Sequence, residues 1–175
     1  MSLPRDLLAQ ARHLAKKEPR RPLQASLRRA VSTAYYALFH FLGEESSRLL
    51  IGAAHHEKSL RDLARRAIAH TRLKDVCLEF QKATPKALLK PHWRTSGVGG
   101  DADLAVICAN FVELQQARQT ADYDFTSAMN RSEALDACDK VQEAIAAWER
   151  LKARQPEALK LFALSILLWP GLASR

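Results

Sequence analysis

Residues 26–42 constrain this chain more than any other stretch, because two faces of one helix are specified at once. Leu27, Ala30, Val31, Ala34, Leu38 and Phe41 recur at three- and four-residue steps, the period of a helix with one buried side. Arg29, Thr33, Tyr36 and His40 recur at the same steps on another side. A helix facing only core and water more often carries Lys and Glu there. Tyr36 and His40 therefore point either to a second, wetter contact surface or to packed rings, each satisfied by one hydrogen bond.

The rest of the chain reads as further helices. Residues 2–17 carry the stripe Leu7, Leu8, Ala11, Leu14 and Ala15, with Ser2 as a cap and Pro4 in the first turn. Pro19 and Pro22 break it, since proline lacks an amide donor, and so short a link predicts antiparallel packing onto the central helix. The central helix runs to about residue 50, before Gly52. A third segment has Leu60, Leu63, Ala64, Ala67 and Ile68 on its apolar side, and residues 73–82 extend it or form a short helix of their own. Residues 84–101 contain Pro85, Pro91 and three glycines, which deny them a regular helix or strand. A fourth helix covers 101–119, with Leu104, Ile107, Cys108, Phe111, Leu114 and Gln115 inward and Asp101 or Asp103 at its positive end. Asn130 followed by Glu133 signals the start of a fifth, and residues 157–169 form a sixth, stopped by Pro170 and Gly171. Nothing alternates with strand period for more than a few residues. The expected fold is all-α, an up-and-down antiparallel helical bundle of five to six helices. It forms a single domain over residues 1–175, with Leu27, Val31, Leu38, Phe111, Leu114, Ile145 and Trp148 in one core.

Composition excludes several classes. Apolar residues at 47% and charged residues at 26% exclude a disordered chain. The most apolar run, residues 158–169, falls short of the roughly 20 residues that span a bilayer, so no membrane partner is expected. Cys77, Cys108 and Cys138 stand apart without CxxC spacing and read as small buried hydrophobes in a reducing compartment. With no apolar leader at the N-terminus, the expected location is cytoplasmic. His55 and His56 are adjacent, about 100° apart on a helix, and no other ligand spacing supports them. Neither metal nor cofactor is expected. Lys90, Trp93 and Arg94 put cations beside an aromatic, suited to stacking on a base and touching phosphate unless Trp93 folds back onto the core. The net charge of +8 is uneven: nineteen Lys and Arg against eight acids before residue 101, then eight against eleven. The basic part suits phosphate or the acidic part of a second copy.

Two motifs stand out together: RRAVSTAYYALFH at residues 28–40 and RQTADYD at residues 118–124. Separated by about eighty residues and followed by a helix over 132–154, they resemble the HEPN superfamily, specifically its prokaryotic branch with an RRAxSxAYYAxFH helix and an RxxADYD turn. The resemblance covers residues 20–152 and leaves the C-terminal helix, within 155–175, as an addition. It implies a compact up-and-down bundle acting as a homodimer. It also implies a place among metal-independent ribonucleases, several of them toxins paired with a nucleotidyltransferase-like antitoxin. Their signature is an Arg followed after four to six residues by His, with both copies contributing to the site.

Arg118 matches the Arg, but positions 123, 124 and 125 are Tyr, Asp and Phe, so the His is missing. Cleavage through a 2′-hydroxyl needs a base near neutral pKa and a cation for the charge on phosphate. Arg118 supplies the cation; Tyr123, with an ordinary pKa of about 10, is a poor base. Asp122 and Asp124 repel phosphate, which leaves His40 as the substitute within the motifs. Candidate catalytic residues are thus Arg118, Tyr123 and His40, with Arg29, Tyr36, Asp122, Asp124, Lys90, Trp93 and Arg94 as binding or interface residues. The expectation is RNA or nucleotide binding, or contact with an antitoxin, with weak or no cleavage. Two alternatives stand: an active endoribonuclease toxin, and a structural bundle in which Asp122 or Asp124 pairs with Arg28 or Arg29 and Tyr123 packs between helices.

Overall fold

The computed structural model describes residues 2–173, with side chains placed for 2–169. Among the described residues the chain is all-helical. It comprises α1 Leu3–Lys16, α2 Gln24–Ile51, α3 Lys58–Ala67, α4 His70–Phe80, α5 Lys90–Thr95, α6 Ala102–Tyr123, α7 Arg131–Arg154 and α8 Pro156–Ala173, with a 3-10 turn at His55–Glu57. None of the helices is long and apolar enough to cross a membrane. The chain divides into two compact units, Met1–Phe41 with Asn110–Ile145, and Leu42–Ala109 with Ala146–Arg175.

The first unit is built on the apolar stripe of α2. Leu27, Ala30, Val31, Ala34 and Leu38 are buried, as are Ala11 and Ala15 of α1, Phe111 and Leu114 of α6, and Ala134, Cys138 and Val141 of α7. Tyr35 joins them, fully buried with its ring 5.6 Å from that of Phe111. Burying the Leu, Val and Phe side chains among them contributes about 1.5–3 kcal/mol each. Polar ties fix the ends. Arg131 donates to the carbonyls of Ala15, Glu18 and Pro19 and so holds the link between α1 and α2. Asn130 and Glu133 cap α7 reciprocally: the Glu133 amide donates to Asn130 Oδ1 at 3.0 Å, and the Asn130 amide to Glu133 Oε2 at 2.8 Å.

The second unit packs α4 on α8 and buries Leu73, Val76, Cys77, Phe80, Trp148, Leu159, Phe162 and Ile166. Phe80 meets Phe162 edge-on at 5.2 Å and Trp93 at 5.0 Å. Glu79 is buried but satisfied, accepting from Lys82 Nζ at 2.7 Å and from the Lys86 amide at 2.6 Å. Burial pushes the Cys77 thiol well up, with the neighbouring Cys108 adding to it. Gly52 ends α2 at φ +113°, and a Cβ there would stand 2.3 Å from Glu57 Oε2. Glycine answers both demands.

Several elements differ from the sequence expectation. Eight α-helices are present among the described residues where five to six were expected, for two reasons. The third segment breaks at Ile68 and Ala69, whose backbones are extended, and the break lets Ile68 bury while α3 itself has no buried residue. Leu60 and Leu63 are exposed, against the buried face expected for them. Within 84–101, Pro91 starts the short helix α5 instead of preventing one, because a proline in the first turn lacks only a donor that would be unpaired anyway. α6 runs to Tyr123, so the second motif is helical in all but its last residue, Asp124. α8 continues past Pro170 and Gly171 to Ala173, where a stop was expected, because the apolar run that precedes them is already helical and proline removes only one bond of its last turns. Ser2 makes no side-chain cap to α1. Of the residues expected in one core, Ile145 is half-buried and Trp148 lies in the second unit.

Candidate functional site

The candidate site lies in the first unit, where the polar side of α2 meets the last turns of α6. Arg118 and Asp122 are four residues apart and therefore share a face of α6. Arg118 Nε lies 2.7 Å from Asp122 Oδ2. That is an ion-pair distance, although the Nε hydrogen is not aimed at the carboxylate. The other carboxylate oxygen of Asp122 accepts from the Ser32 hydroxyl of α2. Arg118 Nη2 donates to the Tyr36 hydroxyl at 3.3 Å.

Two aromatic faces flank the same guanidinium. Its central carbon is 5.7 Å from the Tyr36 ring centroid and 5.5 Å from that of Tyr123. Desolvation works against the charge on Arg118, but Tyr36, Asp122 and Tyr123 outweigh it and raise the pKa. Tyr36 stacks on His40 with centroids 6.3 Å apart, so His40 stands one ring away from Arg118. Tyr123 is 68% exposed, which leaves one large ring bare beside the cation; Phe125, 82% exposed, lies instead against the Arg28 guanidinium, 5.9 Å from its ring centroid.

Next to this cluster, Arg28 holds the end of α6. Its Nη1 donates to the carbonyls of Thr120 (3.3 Å), Ala121 (2.9 Å) and Asp124 (2.8 Å), and its Nη2 to that of Ser127. These include terminal carbonyls that have no partner within the helix. Gln24 secures the far side of the turn, donating to the Met129 carbonyl at 2.7 Å and accepting its amide at 2.9 Å. The Asp124 carboxylate folds back on the turn, accepting from the Thr126 amide and hydroxyl and the Ser127 amide. These bonds, led by the Thr126 hydroxyl, hold its pKa below the usual carboxylate value.

The structure thus brings together Arg118, Asp122, Tyr36 and Tyr123, with His40 attached through Tyr36. Arg29 is exposed on α2 and outside the cluster. Asp124 is a turn residue. The expected alternative pairing does not form: Asp122 pairs with Arg118 because the helix places them on one face, and Arg28 binds backbone. Tyr123 is exposed where packing between helices was the alternative. Lys90, Trp93 and Arg94 belong to the second unit, where Trp93 is buried against Phe80 while Lys90 and Arg94 are exposed. Ser32 and the capping role of Arg28 were missed. The available signal was that both sit in the first motif, Ser32 one helical turn before Tyr36.

Chemically, the cluster offers a fixed cation flanked by rings, with its charge balanced by Asp122. Phosphate would share Arg118 with that carboxylate, and a base would find the open Tyr123 face. Comparison with protein-family models, with curated proteins and with solved structures finds no match to this chain.

Proposed function

We propose that this chain is a HEPN-type protein, an up-and-down antiparallel helical bundle acting as a homodimer, whose Arg118 cluster binds the phosphate and bases of RNA or a nucleotide. Its setting is a toxin–antitoxin or defence system with a nucleotidyltransferase-like antitoxin as partner, and its cleavage is weak or absent. The observation that carries binding is the guanidinium of Arg118 held between Tyr36 and the exposed Tyr123. Such an arrangement serves a phosphate and a stacked base together. Cleavage is disfavoured because positions 123, 124 and 125, where the resemblance calls for a His, hold Tyr, Asp and Phe. One observation favours the active endoribonuclease: His40 stacks on Tyr36, one ring from the cation.

The test pairs binding with cleavage. Fluorescence anisotropy with single-stranded RNA should show affinity that falls steeply with salt and drops in Arg118→Ala. With chelator present, the wild type should leave the RNA intact. Robust chelator-resistant cleavage abolished by both Arg118→Ala and His40→Ala would establish the endoribonuclease reading instead. Absence of RNA binding at low salt would leave a structural bundle. Sedimentation at micromolar concentration should give a dimer.

A further inference from the structure

α3 has an amphipathic sequence, yet its two sides are reversed in the fold. The charged side faces the second unit's part of α2. There Lys58, Asp62 and Arg65 line a small cavity with Glu44 and Arg48, and Arg61 donates to the carbonyls of Gly52 (2.9 Å) and Ala54 (2.8 Å). Just past the helix end Ile68 is buried against α2, where a Cβ on Gly43 would stand 3.5 Å from its Cδ1. The apolar side is left outward: Leu60 and Leu63 are 56% and 65% exposed, Ala67 is exposed and Ala64 half-buried. These four residues recur at three- and four-residue steps and make a seam about two turns long, of the kind a second helix fills. The charge beside the seam has one sign. α3 and the 3-10 turn before it hold Lys58, Arg61, Arg65 and Arg66 against Glu57 and Asp62. Both carboxylates are committed. Glu57 lies 3.9 Å from Arg61, and Asp62 is shared by Lys58 and Arg65, which hold its carboxyl below the usual range. Arg66 is exposed and has no side-chain partner among the described residues; three positions on from Leu63, it stands at the edge of the seam.

We propose that the outer face of α3 docks an acidic amphipathic helix of another protein. The partner's leucine or isoleucine stripe lies along Leu60, Leu63 and Ala67, and its Asp or Glu side chains meet Arg66. The small side chains of Ala64 and Ala67 let a second backbone come close. Flanking charge of one sign selects a partner of the other sign. Two copies meeting through this same face would set like charges against each other. A bilayer fits less well: the two leucines offer about eight side-chain carbons, against the roughly fourteen of a myristoyl chain that alone gives only marginal membrane binding. The face lies wholly in the second unit, shares no side chain with the Arg118 cluster, and serves as a docking site whether or not that cluster binds RNA.

The full chain is titrated against labelled helical peptides about three heptads long, with leucine along the seam and either Glu or Lys at the flanking positions, and binding is read by fluorescence anisotropy. Like charges on the flanks keep each peptide from pairing with itself. The Glu peptide should bind at least about tenfold more tightly than the Lys peptide, and than a scrambled Glu peptide of the same composition. Arg66→Glu should erase the preference between Glu and Lys. The double variant Leu60→Gln, Leu63→Gln should lose binding yet keep the wild-type urea midpoint, because nothing in the chain covers these leucines. Equal binding of the scrambled peptide, or no binding of the Glu peptide at about 1 mM, overturns the proposal. A lowered urea midpoint in the double variant overturns it too, by showing that the chain covers the leucines itself. Two further outcomes reassign the face. Cosedimentation with vesicles of roughly 7:3 phosphatidylcholine and phosphatidylserine, lost in the double variant, assigns it to a bilayer. A smaller sedimenting species in the double variant assigns it to a second copy of this chain.

Discussion

The turn at residues 124–130 and the Arg118 cluster each hang on one arginine, and the two are used in opposite ways. Arg28 gives its donors to four backbone carbonyls, of Thr120, Ala121, Asp124 and Ser127. Arg118 faces side chains: a carboxylate, a hydroxyl and two rings, one of them largely in solvent. A carbonyl at a helix end needs a donor in every state of the molecule, so Arg28 is a structural fastener. Side-chain partners can exchange for a ligand without unravelling the backbone, so Arg118 is free to trade them. The contrast predicts that the two arginines fail differently on substitution.

The largest effect belongs to Arg28. Arg28→Ala strips several part-buried carbonyls of charged donors and should lower unfolding stability by about 3 kcal/mol, read from urea melts. Arg28→Lys should recover less than half, since a point charge cannot fork to carbonyls that lie apart. If Arg28→Ala melts like the wild type, the fastener idea fails. Arg118→Ala should cost under about 1 kcal/mol of stability, because its ion pair with Asp122 is partly exposed. Its expected loss is in RNA affinity, roughly tenfold, with the salt slope reduced by about one. Equal stability losses for the two variants would erase the distinction.

How far the sequence reveals this depends on the range of each signal. The α2 stripe and the Asn130–Glu133 cap are readable because every residue involved is within a turn or two of its partner. The break at Ile68 and Ala69 has no glycine or proline to announce it; it follows from which side chains find cover. Leu60 and Leu63 show the same limit, since period reveals an apolar face but not whether anything lies on it. At the site, Arg118 and Asp122 could be paired from spacing alone. Ser32 could not, because its bond to Asp122 spans ninety positions in the chain. Asp122 and Asp124, two residues apart, divide their roles only where the backbone leaves the helix after Tyr123.

A smaller effect sharpens the reading of Arg118 as exchangeable. Asp122→Asn keeps an oxygen for the Ser32 hydroxyl but removes the charge that balances Arg118. RNA affinity should rise by roughly threefold, about 0.7 kcal/mol, most visibly at low salt. If the carboxylate instead orients Arg118 for binding, affinity will fall, and the cluster becomes a preformed unit in which Asp122 is required.

The smallest effect tests whether the turn depends on Arg28 alone. The Asp124 carboxyl lies below its ordinary value of 3.8, first through the Thr126 hydroxyl, then through the Thr126 and Ser127 amides, with Arg28 the last contributor and desolvation opposing. A depressed carboxylate contributes stability that is fully present above its unfolded pKa and is lost as pH falls through the folded one. Asp124→Asn should therefore be less stable than the wild type by a constant amount between about pH 7 and pH 5, and the gap should close below about pH 3.8. Because Arg28 ranks last, the same closing gap should persist in an Arg28→Ala background, at lower overall stability. Parallel curves down to about pH 3 would mean that the carboxylate charge does no stabilising work in the turn. A gap that disappears with Arg28 would mean that the turn has one fastener, not two.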